Sequence, residues 1–199
     1  MSDLNVSRET SEKLEVFADL VRKWTTKINL VSRSSVPELW SRHIADSAQI
    51  YELAPPFNRW VDLGSGGGFP GIVVAILADT APSKPTVTLV ESDQRKSTFL
   101  RTAIRELGLR ATVISDRIEK IEPLNADILS ARALADLDTL LEFSERHLGN
   151  GGLALFLKGA HWQKEADDAR IRWSYTCEAI KSKTSADAAV LKIKDIARV

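Results

Sequence analysis

Residues 60–71, WVDLGSGGGFPG, constrain the fold of this chain more than any other segment. An apolar strand-like run ends in an acid, Asp62, and continues into a turn with closely spaced glycines. Glycine has no Cβ, so the backbone can turn sharply there and a ligand can lie against it. Pro70 suits the first turn of a helix, where its missing N–H costs nothing. The pattern predicts a strand, a tight loop and a helix N-terminus around one cavity, as in sites for nucleotide-like cofactors.

Strands and helices alternate along the rest of the chain. The predicted strands are 60–63, 86–91, 111–114, 126–130 and 152–157. The predicted helices are 71–78, 94–107, 137–147 and 161–170. This alternation implies right-handed crossovers and a mostly parallel, doubly wound α/β sheet with helices on both faces. Two further runs near the C-terminus, 173–180 and 188–196, predict an antiparallel strand pair at one edge.

The first quarter of the chain has a helical pattern instead. Apolar residues recur at three- and four-residue spacing over 7–28, which predicts a helix that packs on the main domain, with a partner-binding coiled coil as the alternative. A second helix is predicted over 37–51, before Pro55 and Pro56. We therefore expect an N-terminal helical cap, 1–57, and one compact cofactor-binding domain, 58–199.

Composition limits the class of protein. The 199 residues suffice for one core with a small extension, and a single cysteine and three histidines argue against a disulfide framework or a metal site. No apolar run is long enough to span a bilayer and no signal region is present, so we expect a cytoplasmic protein that does not bind membranes. We also expect a monomer. Because the formal net charge is zero, any nucleic-acid surface must be a local patch.

The glycine loop alone does not identify its ligand. Residues 66–71 satisfy the G-x-G-x-x-G pattern, but Ile72 rather than a lysine follows, unlike a P-loop. The pyrophosphate of a dinucleotide would be repelled by Asp62, whereas S-adenosylmethionine brings an ammonium and a sulfonium that an anion favours. Glu91 follows the second strand and fits the acid that binds ribose hydroxyls of either cofactor. These residues favour S-adenosylmethionine over NAD, and the alternative for Asp62 is a helix-dipole partner or a loop cap. Residues 116–119 are expected near an adenine, although a solvated turn explains them equally well.

Four strings carry a resemblance to a known family. They are NLVSRSS with the following RHIADS, DLGSGGGFPG, SARALA and LKG. On these strings the chain resembles the bacterial 16S ribosomal RNA guanine-N7 methyltransferases, also called glucose-inhibited division protein B, over nearly its whole length. The resemblance implies a Rossmann-like class I methyltransferase fold with S-adenosylmethionine as cofactor. It also implies methyl transfer to N7 of a guanine in the decoding region of 16S ribosomal RNA, as RNA or in the small ribosomal subunit.

The loop pattern and the resemblance together assign site residues. The expected cofactor-binding residues are Asp62, Gly64, Gly66, Gly68, Phe69, Gly71, Glu91, Ile118, Glu119 and Arg132. The expected catalytic residues are Arg132, His43, Asp46 and Lys158. At the position of Glu91, related sequences often have Asp, which is shorter by one methylene. No metal is expected.

The expected roles follow from the residue types. Arg132 is expected to orient the methionine carboxylate or guanine O6, with a structural ion pair as the alternative. His43, Asp46 and Ser47 are expected to share one helix face and to support the cofactor pocket. Lys158 is expected to contact a phosphate.

Guanine N7 carries a lone pair and no proton, so its methylation needs alignment rather than a general base. Basic residues offer a modest surface for phosphates, with an ordinary solvated face as the alternative, at Arg33, Arg42, Arg95, Lys96, Arg101 and Arg105. The neutral net charge predicts better turnover of a structured ribonucleoprotein than of protein-free RNA. Three alternatives remain open: a methyltransferase for another RNA or a small molecule, a non-catalytic RNA-binding assembly factor, and a nicotinamide oxidoreductase.

Overall fold

The structure is a computed structural model that describes residues 4–199 as a seven-stranded sheet covered by helices. The strands are β1 Arg59–Leu63, β2 Thr86–Val90, β3 Ala111–Ile114, β4 Ala126–Arg132, β5 Leu148–Lys158, β6 Trp173–Lys181 and β7 Ala189–Arg198. The α-helices are α1 Arg8–Thr25, α2 Asp46–Leu53, α3 Gly71–Ala78, α4 Gln94–Leu107, α5 Leu137–His147 and α6 Trp162–Ala169.

The sheet order is β3-β2-β1-β4-β5-β7-β6. The first five strands in this order run parallel, β7 is antiparallel to β5, and β6 is antiparallel to β7. The predicted doubly wound, Rossmann-like sheet with an antiparallel edge is therefore confirmed. Because the strand order reverses between β1 and β4, the crevice at their carboxyl ends is the position where such sheets bind ligands.

Alternating side chains of each strand enter two hydrophobic clusters, one on each face of the sheet. On β1, Trp60 belongs to the cluster with α1, α3 and α4, whereas Val61 belongs to the cluster with α5 and α6. On β5, Leu155 and Phe156 divide in the same way. Both faces are buried, which explains why the strands have nearly continuous apolar sequences.

The N-terminal helices differ in detail from the expected ones. Ser7 accepts a hydrogen bond from the Thr10 amide and caps α1, which ends at Thr25 rather than near residue 28. The helix predicted over 37–51 is instead a wide π-helical turn, Trp40–Ala45, that continues directly into α2. Apolar periodicity does not distinguish a π turn from an α turn, so the sequence could not show this change. The boundary at residue 57 between cap and main domain remains a prediction.

Helix α1 packs directly on the glycine loop. Gly68 has φ +87°, and a Cβ built there would lie 2.9 Å from Phe17 Cζ and 2.7 Å from Ile72 Cγ1. The Phe17 ring lies 5.2 Å from the Phe69 ring, between centroids. The N-terminal helix therefore fixes the outer side of the loop through contacts that leave no room for a side chain.

Gly68→Ala tests this close packing against Gly108→Ala. Both glycines have positive φ, but a Cβ on Gly108 meets no atom within 4 Å. The Gly108 variant should lose about 1–2 kcal/mol of unfolding free energy, the cost of the left-handed conformation. Overpacking should cost the Gly68 variant about 1–3 kcal/mol more. Urea unfolding followed by circular dichroism measures both, and equal losses would contradict the packing argument.

Candidate functional site

A cavity of about 560 Å³ opens at the carboxyl ends of β1, β2 and β4. We call it the cofactor cavity, because it brings together most of the predicted cofactor-binding residues. Those that line it are Gly64, Gly66, Phe69, Glu91, Ile118, Glu119 and Arg132. The volume is in the usual range for a small-molecule site.

Glu91 holds the glycine loop to the second strand. Its Oε2 accepts a hydrogen bond from the Gly66 amide at 2.8 Å, and its Oε1 accepts one from the Asp93 amide at 2.8 Å. A Cβ on Gly66 would meet only the Gly64 carbonyl oxygen, at 3.7 Å, so this part of the loop is open to the cavity. The carboxylate keeps further acceptor capacity toward the cavity that it lines.

Asp62 does not reach the cavity, contrary to the direct contact expected from the sequence. It is fully buried, and its Oδ2 accepts a hydrogen bond from the Gly71 amide at 3.1 Å. Its Oδ1 accepts one from the Ser130 hydroxyl at 2.7 Å, and Ser130 in turn accepts from Trp60 Nε1. Burial raises the pKa of Asp62 to about 6, against the opposing effect of the Ser130 hydrogen bond. The side chain lies beneath the loop and joins β1, β4 and the start of α3.

Gly68 and Gly71 also lie outside the cavity wall, so their predicted contact with the cofactor is not supported. Gly71 begins α3, and a Cβ there would lie 2.6 Å from Asp62 Oδ2. These two glycines are needed for close packing behind the loop, whereas Gly64 and Gly66 line the cavity.

Arg132, the last residue of β4, joins the cavity to the N-terminal helices. Its Nη1 donates to the Arg42 carbonyl at 3.2 Å and to Asp46 Oδ2 at 3.3 Å. Its Nη2 donates to His43 Nδ1 at 2.9 Å, and the guanidinium lies 5.1 Å from the centre of the Phe69 ring. The strand end thus presents a cation whose position is fixed from several sides.

His43 holds Arg132 as a neutral imidazole. Because arginine can only donate, Nδ1 must accept, and Nε2 then donates to Ser35 Oγ at 2.9 Å. The Ser35 hydroxyl donates to the Ser32 carbonyl. Burial, and secondarily the charge of Arg132, lowers the pKa of His43 to about 4. His43 therefore orients the arginine at neutral pH without competing with it for charge.

Two predicted residues have different surroundings from those expected. Ser47 is fully buried, and its hydroxyl has no hydrogen-bond partner among residues 4–199, so it does not join the hydrogen-bond network of His43 and Asp46. Lys158 Nζ donates to the Ala135 carbonyl at 2.8 Å and pairs with Glu165 at 2.5 Å. The lysine is engaged within the protein rather than turned outward to a phosphate.

Sequence reasoning missed several residues that build the site. Ser130 and Ser35 lie inside the quoted strings SARALA and NLVSRSS, but nothing in the strings indicates their partners Asp62 and His43. Gly67 was not singled out, although a Cβ there would lie 2.9 Å from the Leu30 carbonyl oxygen. Short polar residues within apolar strands are the signal that could have identified Ser130.

Within residues 4–199 no cluster of three or more histidine, cysteine, aspartate or glutamate side chains is arranged to hold a metal ion. No helix in the same range combines the length and apolarity needed to cross a bilayer.

Solved structures define the class of fold. The chain aligns with a S-adenosylmethionine-dependent methyltransferase from Aquifex aeolicus with a TM-score of 0.62 and 13% identity, covering 88% of this chain and 97% of that one. It aligns with M. jannaschii TYW2 in complex with AdoMet with a TM-score of 0.59 and 17% identity, covering 88% and 80% of the two chains. At such low identity the likeness shows the fold alone, which is that of the class I methyltransferases.

Sequence relatives give the family. Residues 10–191 match GidB, described as rRNA small subunit methyltransferase G. A relative named ribosomal RNA small subunit methyltransferase G, from Ruegeria pomeroyi, is 57% identical over 98% of this chain and 96% of its own length. One of the same name from Gluconobacter oxydans is 50% identical over 98% of both chains. The chain belongs to the GidB family, and the resemblance seen in its motifs is confirmed.

The pKa of His43 gives a testable pH dependence. Its value of about 4 in the folded chain lies below the ordinary 6.5, so the unfolded chain binds more protons between these values. Stability attributable to His43 is therefore complete above about pH 6.5 and decreases as the pH falls toward about 4. Asp62 acts in the opposite direction over an overlapping range, because its pKa is raised.

Comparison with His43→Asn separates the two groups, since asparagine retains an acceptor for Arg132 and does not titrate. The difference in unfolding free energy, wild type minus variant, should decrease when the pH is lowered from about 7 to about 5. Urea titrations at both pH values measure the difference. A difference that does not change with pH would show that His43 has an ordinary pKa.

Proposed function

We propose that this chain transfers a methyl group from S-adenosylmethionine to N7 of a guanine in the decoding region of 16S ribosomal RNA. The observation that carries the proposal is the cofactor cavity of a GidB-family chain, lined by the glycine loop and Glu91 and bounded by Arg132. The relatives are named for small-subunit ribosomal RNA. The choice of guanine N7 and of the decoding region rests on the motif resemblance.

The cavity residues suit each part of S-adenosylmethionine. Glu91 has acceptor capacity for the ribose hydroxyls. Ile118 and Val90 offer apolar surface for the adenine, and Glu119 lies beside them. Arg132, at the end of β4, is a cation available to the methionine carboxylate, and its five N–H groups leave donors for a further acceptor on the side of the neighbouring cavity. The buried Asp62 lies beneath the loop, where its negative charge favours a cationic ligand over a pyrophosphate through space.

S-adenosylmethionine supplies a methyl group on a positively charged sulfur; in the transfer the N7–CH₃ bond forms as the S–CH₃ bond breaks, and the bonding pair stays on sulfur. The chain's own residues need not remove a proton, because guanine N7 carries none. A neutral His43 that is hydrogen-bonded to Arg132 fits an orienting role rather than that of a general base. Asp46, paired with Arg132, limits the net positive charge near the acceptor nitrogen, which becomes cationic.

Exposed basic residues offer a surface for RNA phosphates. Arg33 and Arg42 lie on the N-terminal side, and Arg95 and Arg101 lie on α4. The patch is small in a chain with zero net charge, so we expect recognition to depend on the shape of a structured ribonucleoprotein. A monomeric state and a cytoplasmic location remain predictions.

Small subunits from a strain that lacks the activity test the proposal. The chain is incubated with these subunits, or with protein-free 16S ribosomal RNA, and with methyl-labelled S-adenosylmethionine, and the RNA is digested and mapped for 7-methylguanine. We expect one labelled guanine in the decoding region, with more label in subunits than in RNA alone. Cofactor binding without label in either substrate would instead favour a non-catalytic assembly factor.

Glu91→Gln tests the cofactor site. Loss of the charge-assisted acceptor should weaken S-adenosylmethionine binding about tenfold to a hundredfold in calorimetric titration. Glu122→Gln is the matched control, because Glu122 is exposed and lies outside the cavity wall. Thermal unfolding of both variants shows whether the loop, which Glu91 also holds through Gly66, remains folded. Unchanged affinity in a folded Glu91 variant would contradict the assignment.

A further inference from the structure

A second cavity of about 660 Å³ adjoins the cofactor cavity at Arg132 and Ala133, which line both. Its other walls come from the π turn with α2, the end of β5, and the loop between β6 and β7. Three further cavities within residues 4–199 share no wall residue with the cofactor cavity. An acceptor held there would lie directly beside the cofactor cavity, with Arg132 and Ala133 between them.

The loop between β6 and β7 is fixed to the N-terminal helices. The Lys183 amide donates to Gln49 Oε1 at 3.0 Å, and Gln49 Nε2 donates to Ser182 Oγ at 3.3 Å. The Thr184 hydroxyl donates to Asp46 Oδ1 at 2.7 Å, while Asp46 Oδ2 pairs with Arg132. Asp46 therefore connects the outer wall of the second cavity to the arginine at its inner end.

Two residues of the lining, Arg132 and Glu38, match guanine better than adenine. Guanine presents two acceptors, N7 and O6, on one edge and an amino donor on the other, whereas adenine presents an amino donor next to N7. Arg132 can only donate, so it suits O6 and opposes the adenine amino group. Glu38 offers an acceptor for the guanine amino group. Its side chain is 61% exposed, and its contact with Arg42 is long, at 3.5 Å.

We propose that the second cavity binds the guanine base that accepts the methyl group, with O6 at Arg132, N7 toward the cofactor cavity and the amino group toward Glu38. This inference rests on the proposed function. The base must leave its stack to enter, and the rim arginine Arg42, with a side chain 58% exposed, is available to the phosphate of the same nucleotide. The N7 lone pair forms the new bond and no proton moves.

Gly159 allows the cavity to be filled without disturbing the fold. It lines the second cavity, and a Cβ built on it meets no atom of the described residues 4–199 within 4 Å. Ala160, the next residue, is also exposed but lines a different cavity. Gly159→Leu should lower kcat/KM on small subunits about a hundredfold, because the base can no longer align, while S-adenosylmethionine affinity and thermal unfolding stay unchanged. Ala160→Leu should behave as the wild type. Full activity of folded Gly159→Leu would overturn the proposal.

A binding experiment tests the same cavity without catalysis. Guanosine, inosine and adenosine monophosphates are titrated into the chain saturated with S-adenosylhomocysteine, and backbone amide resonances are followed. Guanosine monophosphate should shift Ala133, Gly159 and Thr184, and Gly159→Leu should abolish these shifts. Inosine monophosphate lacks the amino group and should bind about tenfold more weakly, a difference that Glu38→Ala should remove. Adenosine monophosphate should bind more weakly than guanosine monophosphate.

The two experiments separate failure of this inference from failure of the proposed function. Guanosine monophosphate shifts confined to other surfaces would overturn the base site even if subunits are methylated. Binding in the second cavity together with no methylation of any subunit would support the base site and contradict the proposed ribosomal substrate.

Discussion

The buried carboxylate of Asp62 is the interaction on which the rest of the site depends. Its two oxygens bind the Gly71 amide at the start of α3 and the Ser130 hydroxyl on β4, so one side chain of β1 fixes both neighbours of the crevice. Burial of a carboxylate is costly, as its raised pKa shows, and hydrogen bonds offset only part of that cost. Because Asp62 holds the glycine loop from the side of the sheet, the opposite side of the loop is free to line the cavity.

Arg132 is the second residue on which the site depends, because it connects the main sheet to the N-terminal helices. The arginine lies at the end of β4 in the main sheet, but its partners Arg42, His43 and Asp46 lie in the π turn and at the start of α2. A nearly buried guanidinium needs such partners, because its charge cannot be removed at neutral pH. The N-terminal segment therefore completes the electrostatics of the cavity as well as covering its outer side.

The sequence predicts this fold well because its strands are short, apolar and separated by clear helix signals. Helices α3, α4 and α5 begin and end where expected, since Asp93 and Asp136 cap two of them and Gly108 ends one. The sequence predicts the location of the cofactor cavity, but it does not predict the structural role of each residue around it. Asp62 and Gly66 occur in the same string, yet Asp62 is buried beneath the loop and Gly66 lines the cofactor cavity. Asp62 lies within β1 and is bound by Gly71 and Ser130, whereas Gly66 lies in the loop beyond the strand, and a motif does not show these partners.

Long-range polar contacts were beyond sequence reasoning for the same reason. Thr184 and Asp46 are 138 positions apart, and Gln49 and Lys183 are 134 apart, so no local pattern connects them. They meet because the antiparallel β6–β7 hairpin extends the sheet on the β5 side and brings its loop to α2. The hairpin thereby does more than protect the edge of the sheet. Its loop supplies a wall that the parallel part of the fold lacks, and Asp46 couples that wall to Arg132, the residue common to both cavities. A displacement of the loop would therefore act on both cavities through one carboxylate.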